Sequence, residues 1–342
     1  MRTILGIETS CDDTSVGIVQ DSGRTLRVIE NVTASQILTH RKYGGVVPEV
    51  AAREHAITIL PTISGALRQA KMSWKNIDAI AVTAGPGLQT ALTVGVEAAR
   101  TISWLHNIPL LRINHIEGHI CSSWASPEAQ RIRFPALALV VSGGHTELIL
   151  VRGFGSYRGI GRTIDDAVGE AFDKTAKVLG LPYPGGPEVS RRAVHGNPKR
   201  FQFPRALMHA NNLDFSYAGL KTSVLYKRQE FGRLSAKLTA DMCASFQVAA
   251  LEPLIEKSSA ALKKTGAKTF LLGGGVAANP MLRQLLRSRI TQDHPGVVYV
   301  EPELRLCTDN GAMIALAGAL RLRKHDVSDW ETISADPNWE LI

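Results

Sequence analysis

Two histidines four residues apart, in Ile113-Asn114-His115-Ile116-Glu117-Gly118-His119, close an apolar run. On an α-helix that spacing leaves about 40° of net rotation, so both imidazoles project from one face about one turn apart. Two neutral imidazole nitrogens held this way can share one transition metal. Two ligands are too few, so a third must come from elsewhere in the chain. The zinc-protease motif His-Glu-x-x-His places its general base directly after the first histidine. Here the acid is Glu117, two residues past His115 and about 200° round the helix. Asn114 reads as the N-cap of that helix, with Glu117 at N3 as the returning half of a capping box. Protease chemistry is therefore disfavoured.

The candidate third ligand lies in Thr308-Asp309-Asn310-Gly311, ahead of an apolar helical stretch over residues 312–320. Taken alone, Asp309 is an N-cap. The order of elements, however, repeats along the chain, and the repeat puts this helix where the histidine helix begins in the other half. Both then open at the carboxyl ends of strands, where open α/β sheets bind ligands. His115, His119 and Asp309 would form a two-histidine, one-carboxylate set with open positions. Nitrogen and oxygen donors without thiolate admit iron, zinc or manganese.

The repeat itself is read from patterning. Strands at 4–9 and 15–19 flank Ser10-Cys11-Asp12-Asp13, a helix begins near Pro48 with Pro61 breaking or kinking it, and a strand at 77–83 follows. Next come a helix to about Trp104, a strand at 109–113 and the histidine helix. The second half opens with strands at 136–141 and 146–151 around Ser142-Gly143-Gly144-His145, with helices at 165–179 and about 239–263. A strand at 269–272, a glycine loop, a helix from Pro280, a strand at 297–300 and a last helix from Asp309 complete it. Hairpins followed by strand–helix alternation predict two mixed α/β sheets, an internal duplication with a cleft between the halves. The predicted division is 1–113 and 114–342, with a basic helical insertion around 185–240 in the second part.

Both hairpin turns carry small or oxygen-bearing residues, and such turns can present backbone N–H groups to phosphate. Gly273-Gly274-Gly275-Val276-Ala277-Ala278-Asn279-Pro280 joins a strand to a helix, with Asn279 as N-cap and Pro280 at the first helical position. It matches the dinucleotide fingerprint G-x-G-x-x-A, but too little chain follows for a Rossmann half. An adenine or ribose contact is the preferred reading.

The chain has 342 residues, 44% hydrophobic and 20% charged, as expected of a globular protein with an ample core. No apolar run is long enough for a membrane span, and no signal-like or transit-like segment opens the chain. Four scattered cysteines without C-x-x-C spacing point to a reducing compartment, so a cytoplasmic location is expected. Net charge is +8. Between Arg191 and Lys237 ten basic residues stand against two acids, interleaved with Phe201, Phe203, Phe215, Tyr217, Tyr226 and Phe231. Such a segment can face a nucleic acid, the bases neutralising phosphates and the aromatics stacking on unpaired nucleobases. The competing reading puts the aromatics in the core.

The chain resembles the tRNA threonylcarbamoyladenosine synthases, the threonylcarbamoyltransferases formerly labelled O-sialoglycoprotein endopeptidases. The matching segments run in order over nearly the whole chain. They include Gly6-Ile7-Glu8-Thr9-Ser10-Cys11-Asp12-Asp13, Gly44-Gly45-Val46-Val47-Pro48-Glu49, the histidine motif and Val140-Val141-Ser142-Gly143-Gly144-His145-Thr146. Asp165-Asp166-Ala167-Val168-Gly169-Glu170-Ala171-Phe172-Asp173-Lys174, Tyr183-Pro184-Gly185-Gly186-Pro187 and Asp214-Phe215-Ser216-Tyr217-Ala218-Gly219-Leu220-Lys221-Thr222 continue the match. Ser245-Phe246-Gln247, the stretch from Gly273 to Asn279 and that from Cys307 to Met313 finish it. The Cys-Asp-Asp turn is similar to the bacterial and mitochondrial branch.

The resemblance implies the duplicated ribonuclease-H-like fold of actin and sugar kinases, two lobes around a nucleotide cleft. It implies an acyltransferase that moves the threonylcarbamoyl group from threonylcarbamoyl-adenylate to the N6 amine of the adenosine 3′ to the anticodon, in tRNAs reading codons that begin with A. Carried over by position, His115, His119 and Asp309 hold one divalent transition metal per subunit, iron ahead of zinc. Val140, Val141, Ser142, Gly143, Gly144, Asp173, Gly186 and Asn279 bind the adenylate, and Asp12 is similar to an acid the family needs for activity. Expected partners are tRNA and either a paralogous actin-fold subunit with an accessory ATPase or a second copy of the chain. Two positions depart from the pattern: Arg112 replaces a small residue, and Ser190 stands where many relatives carry an acid. The rival readings on the same fold are a small-molecule kinase, which would use magnesium rather than a His₂-Asp set, and a non-catalytic nucleotide-binding regulator.

Overall fold

A computed structural model describes residues 1–342. The chain divides into two compact units, one of Met1–Arg131 with Pro302–Ile342 and one of Ile132–Glu301. These units do not follow the division expected at 113/114, because the segment from Pro302 onward packs on the first sheet. In the first unit the elements are β1 (Arg2–Glu8), β2 (Asp13–Asp21), β3 (Leu26–Ser35), α1 (Ile37–Arg41), α2 (Pro48–Gln69), β4 (Ala79–Gly85), α3 (Gln89–His106), β5 (Leu110–Asn114) and α4 (His115–Cys121). The second unit contains β6 (Ala136–Val141), β7 (Thr146–Gly153), β8 (Ser156–Arg162), α5 (Val168–Val178), α6 (Gly185–Ala193), α7 (Ala218–Gln229), α8 (Ala236–Thr265), β9 (Thr269–Gly273), α9 (Pro280–Asp293) and β10 (Val298–Val300). α10 (Gly311–Leu322) belongs to the first unit.

The duplication is explicit in the sheets. Each has five strands, in the orders β3-β2-β1-β4-β5 and β8-β7-β6-β9-β10. In both, the first three strands of the repeat pair antiparallel and the last two add in parallel. The inner strands β4, β6 and β9 are buried at every residue, as expected of strands covered on both faces. Two strands escape sequence patterning, β3 and β8. Both are edge strands with few buried residues, and β8 carries two glycines in Ser-Tyr-Arg-Gly-Ile-Gly-Arg, so neither shows an apolar alternation. α2 runs unbroken through Pro61. Pro61 faces solvent, where the carbonyl that loses its helical donor can be hydrated.

One packing feature sets the position of Asp309. Gly6 and Gly17 are cross-strand partners in β1 and β2, and the first turn of α10 lies directly over them. A Cβ at Gly6 would overlap the Gly311 carbonyl, and one at Gly17 the Ala312 nitrogen. The Ser15 hydroxyl accepts from Gly311 N at 2.9 Å and the Asn31 side chain from Ala312 N at 2.9 Å. The helix terminus thus packs its backbone against that of β1 and β2 and is fastened there by two side chains. Gly17→Ala is expected to cost at least about 1–3 kcal/mol, the range for overpacking a core with no flexible neighbour to yield; urea unfolding of the variant measures it.

Candidate metal centre and phosphate-binding turns

The histidine helix α4 begins abruptly. Asn114, fully buried at the end of β5, turns its Oδ1 to the backbone N–H groups of Ile116 (2.9 Å) and Glu117 (3.4 Å). This is the N-cap expected from the sequence. Glu117, expected to close a capping box, faces away and pairs with Arg321 in the last turn of α10 at 2.7 Å. All seven residues of α4 are buried. His115 and His119 leave one face of it with ring centroids 4.6 Å apart.

Asp309 joins them because it is not a cap. Asn310 accepts from Met313 N at 2.8 Å and caps α10, which leaves the carboxylate before it for another use. Asp309 Oδ1 lies 3.2 Å from His119 Nε2 and 3.6 Å from His115 Nε2. One ligand atom from each of the three residues falls within 4.8 Å of the others. The three-ligand set read from the sequence is therefore assembled in space.

Burial and charge fit a cation there. His119 is inaccessible to solvent, yet neither of its ring nitrogens makes a well-directed hydrogen bond. An unsatisfied buried polar atom costs about 1–3 kcal/mol, and a metal on Nε2 would remove that cost at one of them. Burial holds the His119 ring below the ordinary histidine pKa, in the neutral form a metal needs. Burial also favours neutral His115, but the carboxylates of Asp309 and Glu8 outweigh it and push its pKa up to about 9. A metal binding through Nε2 must therefore displace a proton.

Glu8, which no spacing in the sequence singles out, backs the histidine pair. It ends β1 with no solvent exposure. Its Oε2 meets His115 Nδ1 at 3.0 Å and accepts from the Thr83 hydroxyl at 2.7 Å, while Oε1 accepts from Ser10 N at 2.5 Å. Burial alone would raise this carboxyl, but His115 holds it below the ordinary glutamate value. A carboxylate on the far nitrogen of a ligating histidine fixes ring and tautomer and raises ligand basicity. Glu8→Gln is expected to weaken metal binding about 10- to 100-fold, measured by chelator competition.

The turn after β1 presents Asp12 and Asp13. Burial raises the pKa of both, that of Asp13 to about 7, and the nearby Asp309 charge adds to each. The turn is braced from behind by two buried histidines. His55 Nε2 contacts the Cys11 carbonyl at 3.0 Å and its Nδ1 the Thr14 hydroxyl at 2.7 Å. His40 contacts Gln36 at 3.0 Å, and Gln36 N donates to the Asp12 carbonyl at 3.2 Å. No spacing in the sequence singles out His40 or His55.

The adenylate residues expected from the resemblance lie in the second unit, linked through two helices. Val140 and Val141 end β6; Ser142 N donates to the His145 carbonyl at 2.8 Å and closes the turn, leaving Gly143 and Gly144 exposed with open space where a Cβ would stand. Gly169 of α5 touches this turn, and one helical turn later Asp173 Oδ1 accepts from Gly185 N (2.7 Å) and Gly186 N (3.3 Å) at the start of α6. Ser190, further along α6, accepts from Asn279 Nδ2 at 2.9 Å. Asn279 also donates to Gln247 at 2.9 Å, and its Oδ1 caps α9 through Leu282 N at 3.1 Å. The glycine loop is not a direct strand-to-helix turn: a 3₁₀ turn, Gly275–Ala278, intervenes.

The basic segment is corrected by the structure. Phe203, Phe215 and Tyr217 are core residues, and among the six aromatics only Tyr226 is exposed. The segment is helical over α6, α7 and the first residues of α8, with an irregular stretch between α6 and α7. Six of its ten basic side chains meet acids, most of them outside Arg191–Lys237: Arg191 on Glu188, Arg200 and Lys237 on Asp241, Arg205 on Glu252, Lys221 on Asp166, and Lys227 on Glu230. A groove of about 990 Å³ follows Lys199, Phe201 and Arg205. No helix of the chain is long and apolar enough to cross a membrane.

Against known proteins, residues 27–316 match the family model described as tRNA N6-adenosine threonylcarbamoyltransferase. A protein of that name from Anaeromyxobacter sp. (strain Fw109-5) is 46% identical over 338 residues, 99% of each chain. One from Bacillus subtilis (strain 168) is 47% identical over 322 residues, covering 94% of this chain and 91% of the relative. Among solved structures, the ROK hexokinase from Thermus thermophilus has the same fold at a TM-score of 0.50 with 16% identity, over 94% of this chain and 99% of that one.

Proposed function

The chain belongs to the tRNA N6-adenosine threonylcarbamoyltransferase family, and from that premise we propose that it transfers the threonylcarbamoyl group of threonylcarbamoyl-adenylate to N6 of the adenosine 3′ to the anticodon. The structural observation that supports this reading is the His115–His119–Asp309 set, with both histidines buried and one imidazole unsatisfied. A kinase of this fold has no need of such donors.

A divalent metal bound there, iron or else zinc, supplies Lewis-acid charge and a template for the donor's phosphate. The remaining work falls to the chain. Gly143 and Gly144 offer backbone N–H groups to an anionic ligand, Asp173 holds the Gly185 and Gly186 amides in place, and Asn279, at the cap of α9, is assigned to the nucleoside. Carbamoylation makes N6 acidic, so its proton must leave as the carbon–nitrogen bond to the donor forms and AMP departs. Asp12, whose pKa is raised by burial, accepts that proton.

A protein partner is part of this reading. Ile57 and Leu60 on α2 are 69% and 61% exposed, and Pro61 and Ala56 extend the apolar stripe. A stripe of this kind on one helix suits a helix of a paralogous subunit or of a second copy. Free cysteines throughout agree with a cytoplasmic location.

The test supplies purified chain with synthetic threonylcarbamoyl-adenylate and unmodified tRNA, alone and with candidate partner subunits. Threonylcarbamoyl-adenosine in the tRNA, with AMP released in equal amount, is the expected product. Phosphorylation of a small molecule from ATP without any transfer to tRNA would favour the kinase instead.

A further inference from the structure

Nothing in the apolar strand β5, Leu-Leu-Arg-Ile-Asn, calls for a charge at Arg112. Its partners are far along the chain. The Arg112 guanidinium lies over the Trp339 indole, 4.0 Å from the ring centroid, and its Nη2 is 3.6 Å from Asp336 Oδ2. Both partners sit in residues 336–339, a strap across the ends of β4 and β5. Asp336 N donates to the Ala84 carbonyl at 2.7 Å, Gly87 N to the Pro337 carbonyl at 3.2 Å, and Trp339 N to the Asp336 carbonyl at 3.2 Å. Gly85 is required beneath it, since a Cβ there would overlap the Asp336 carbonyl.

The strap ends on the cap of the metal helix. Asn114 Nδ2 donates to the Trp339 carbonyl at 2.9 Å. An asparagine amide has one donating end and one accepting end. With the Trp339 carbonyl holding the NH₂, the oxygen must face the N–H groups of Ile116 and Glu117; flipped, it would set donor against donor. α4 has only seven residues, too few to hold a helical geometry unaided, and its first residue is His115.

We propose that Arg112 and the 336–339 strap are positioning residues for the metal histidines. The cation over Trp339 fastens the strap, the strap's carbonyl orients Asn114, and Asn114 fixes the turn from which His115 and His119 project. This rests on the metal reading of that helix.

The test compares the unaltered chain with Arg112→Ala, Arg112→Lys and a chain ending at Ala335. Zn²⁺ affinity is read by chelator competition, and site geometry by the visible spectrum of the Co²⁺-loaded protein. Arg112→Ala and the shortened chain are expected to bind Zn²⁺ about tenfold or more weakly and to shift the Co²⁺ bands. Arg112→Lys, which keeps a cation over the indole, is expected to recover most of both. A purely structural role would lower stability and leave the Co²⁺ spectrum of the folded protein unchanged. Should the shortened chain fail to fold, Arg112→Ala decides, because that side chain is 33% exposed. Unaltered affinity and spectrum in Arg112→Ala, with the unaltered chain binding metal, would overturn the strap's role and leave the metal site standing. An unaltered chain that binds neither ion would remove both.

Discussion

His119→Ala is expected to give a folded chain that has lost its metal and, with it, threonylcarbamoyl transfer. A four-ligand zinc site is worth roughly 10–16 kcal/mol, so one ligand accounts for about 3 kcal/mol, or at least a hundredfold in affinity. Stability should move much less. The ring is buried with both nitrogens unsatisfied, so its removal relieves part of the packing it gives up. The diagnostic pattern is a metal-free unfolding midpoint close to that of the parent beside a large fall in bound metal after dialysis. A residue retained for packing alone would show the reverse. Asp309→Asn should behave alike, since Asn310 and not Asp309 caps α10.

Asp12→Asn is expected to suppress transfer by about 10²–10⁴, the usual range for a general base, while the variant still binds the adenylate. The amide keeps the size and the turn geometry but cannot accept a proton. Burial and the Asp309 charge raise the Asp12 pKa, which moves it toward the working pH and makes it a better acceptor than an exposed aspartate. Single-turnover transfer and equilibrium binding of a non-hydrolysable adenylate separate the two effects. Loss of binding with the rate of bound donor unchanged would assign Asp12 to the ligand, not to the proton.

Much of this was legible because it is periodic or repeated. The buried central strands announce themselves as apolar runs, and the two hairpin-first halves gave Asp309 its place beside histidines nearly two hundred positions earlier. What escaped was tertiary. Glu8 reads as a strand's polar exit; only the fold brings Thr83 and His115, 75 and 107 residues away, together onto its Oε2. β3 and β8 sit at sheet edges with no fully buried residue on either face, so no apolar alternation marks them. Asp309 and Asn310 compete for the same cap in sequence, and the choice is made by the contact of α10 with Gly6 and Gly17. The basic segment looks unbalanced in sequence because acids that pair with it, Glu188, Asp241, Glu252 and Asp166, lie outside Arg191–Lys237. Phe203, Phe215 and Tyr217 face inward because they belong to the core of their unit.

The most direct test of the central claim is a count of ions. The full chain, stripped by chelator and titrated anaerobically with Fe²⁺ and separately with Zn²⁺, is expected to take up one ion per chain and to release about one proton below pH 9, the His115 Nε2 proton displaced by the ion. The same titration of the His115→Ala, His119→Ala and Asp309→Ala variants should find that site gone. An ion bound with equal affinity by all three variants, or none bound by the parent, would contradict the assignment.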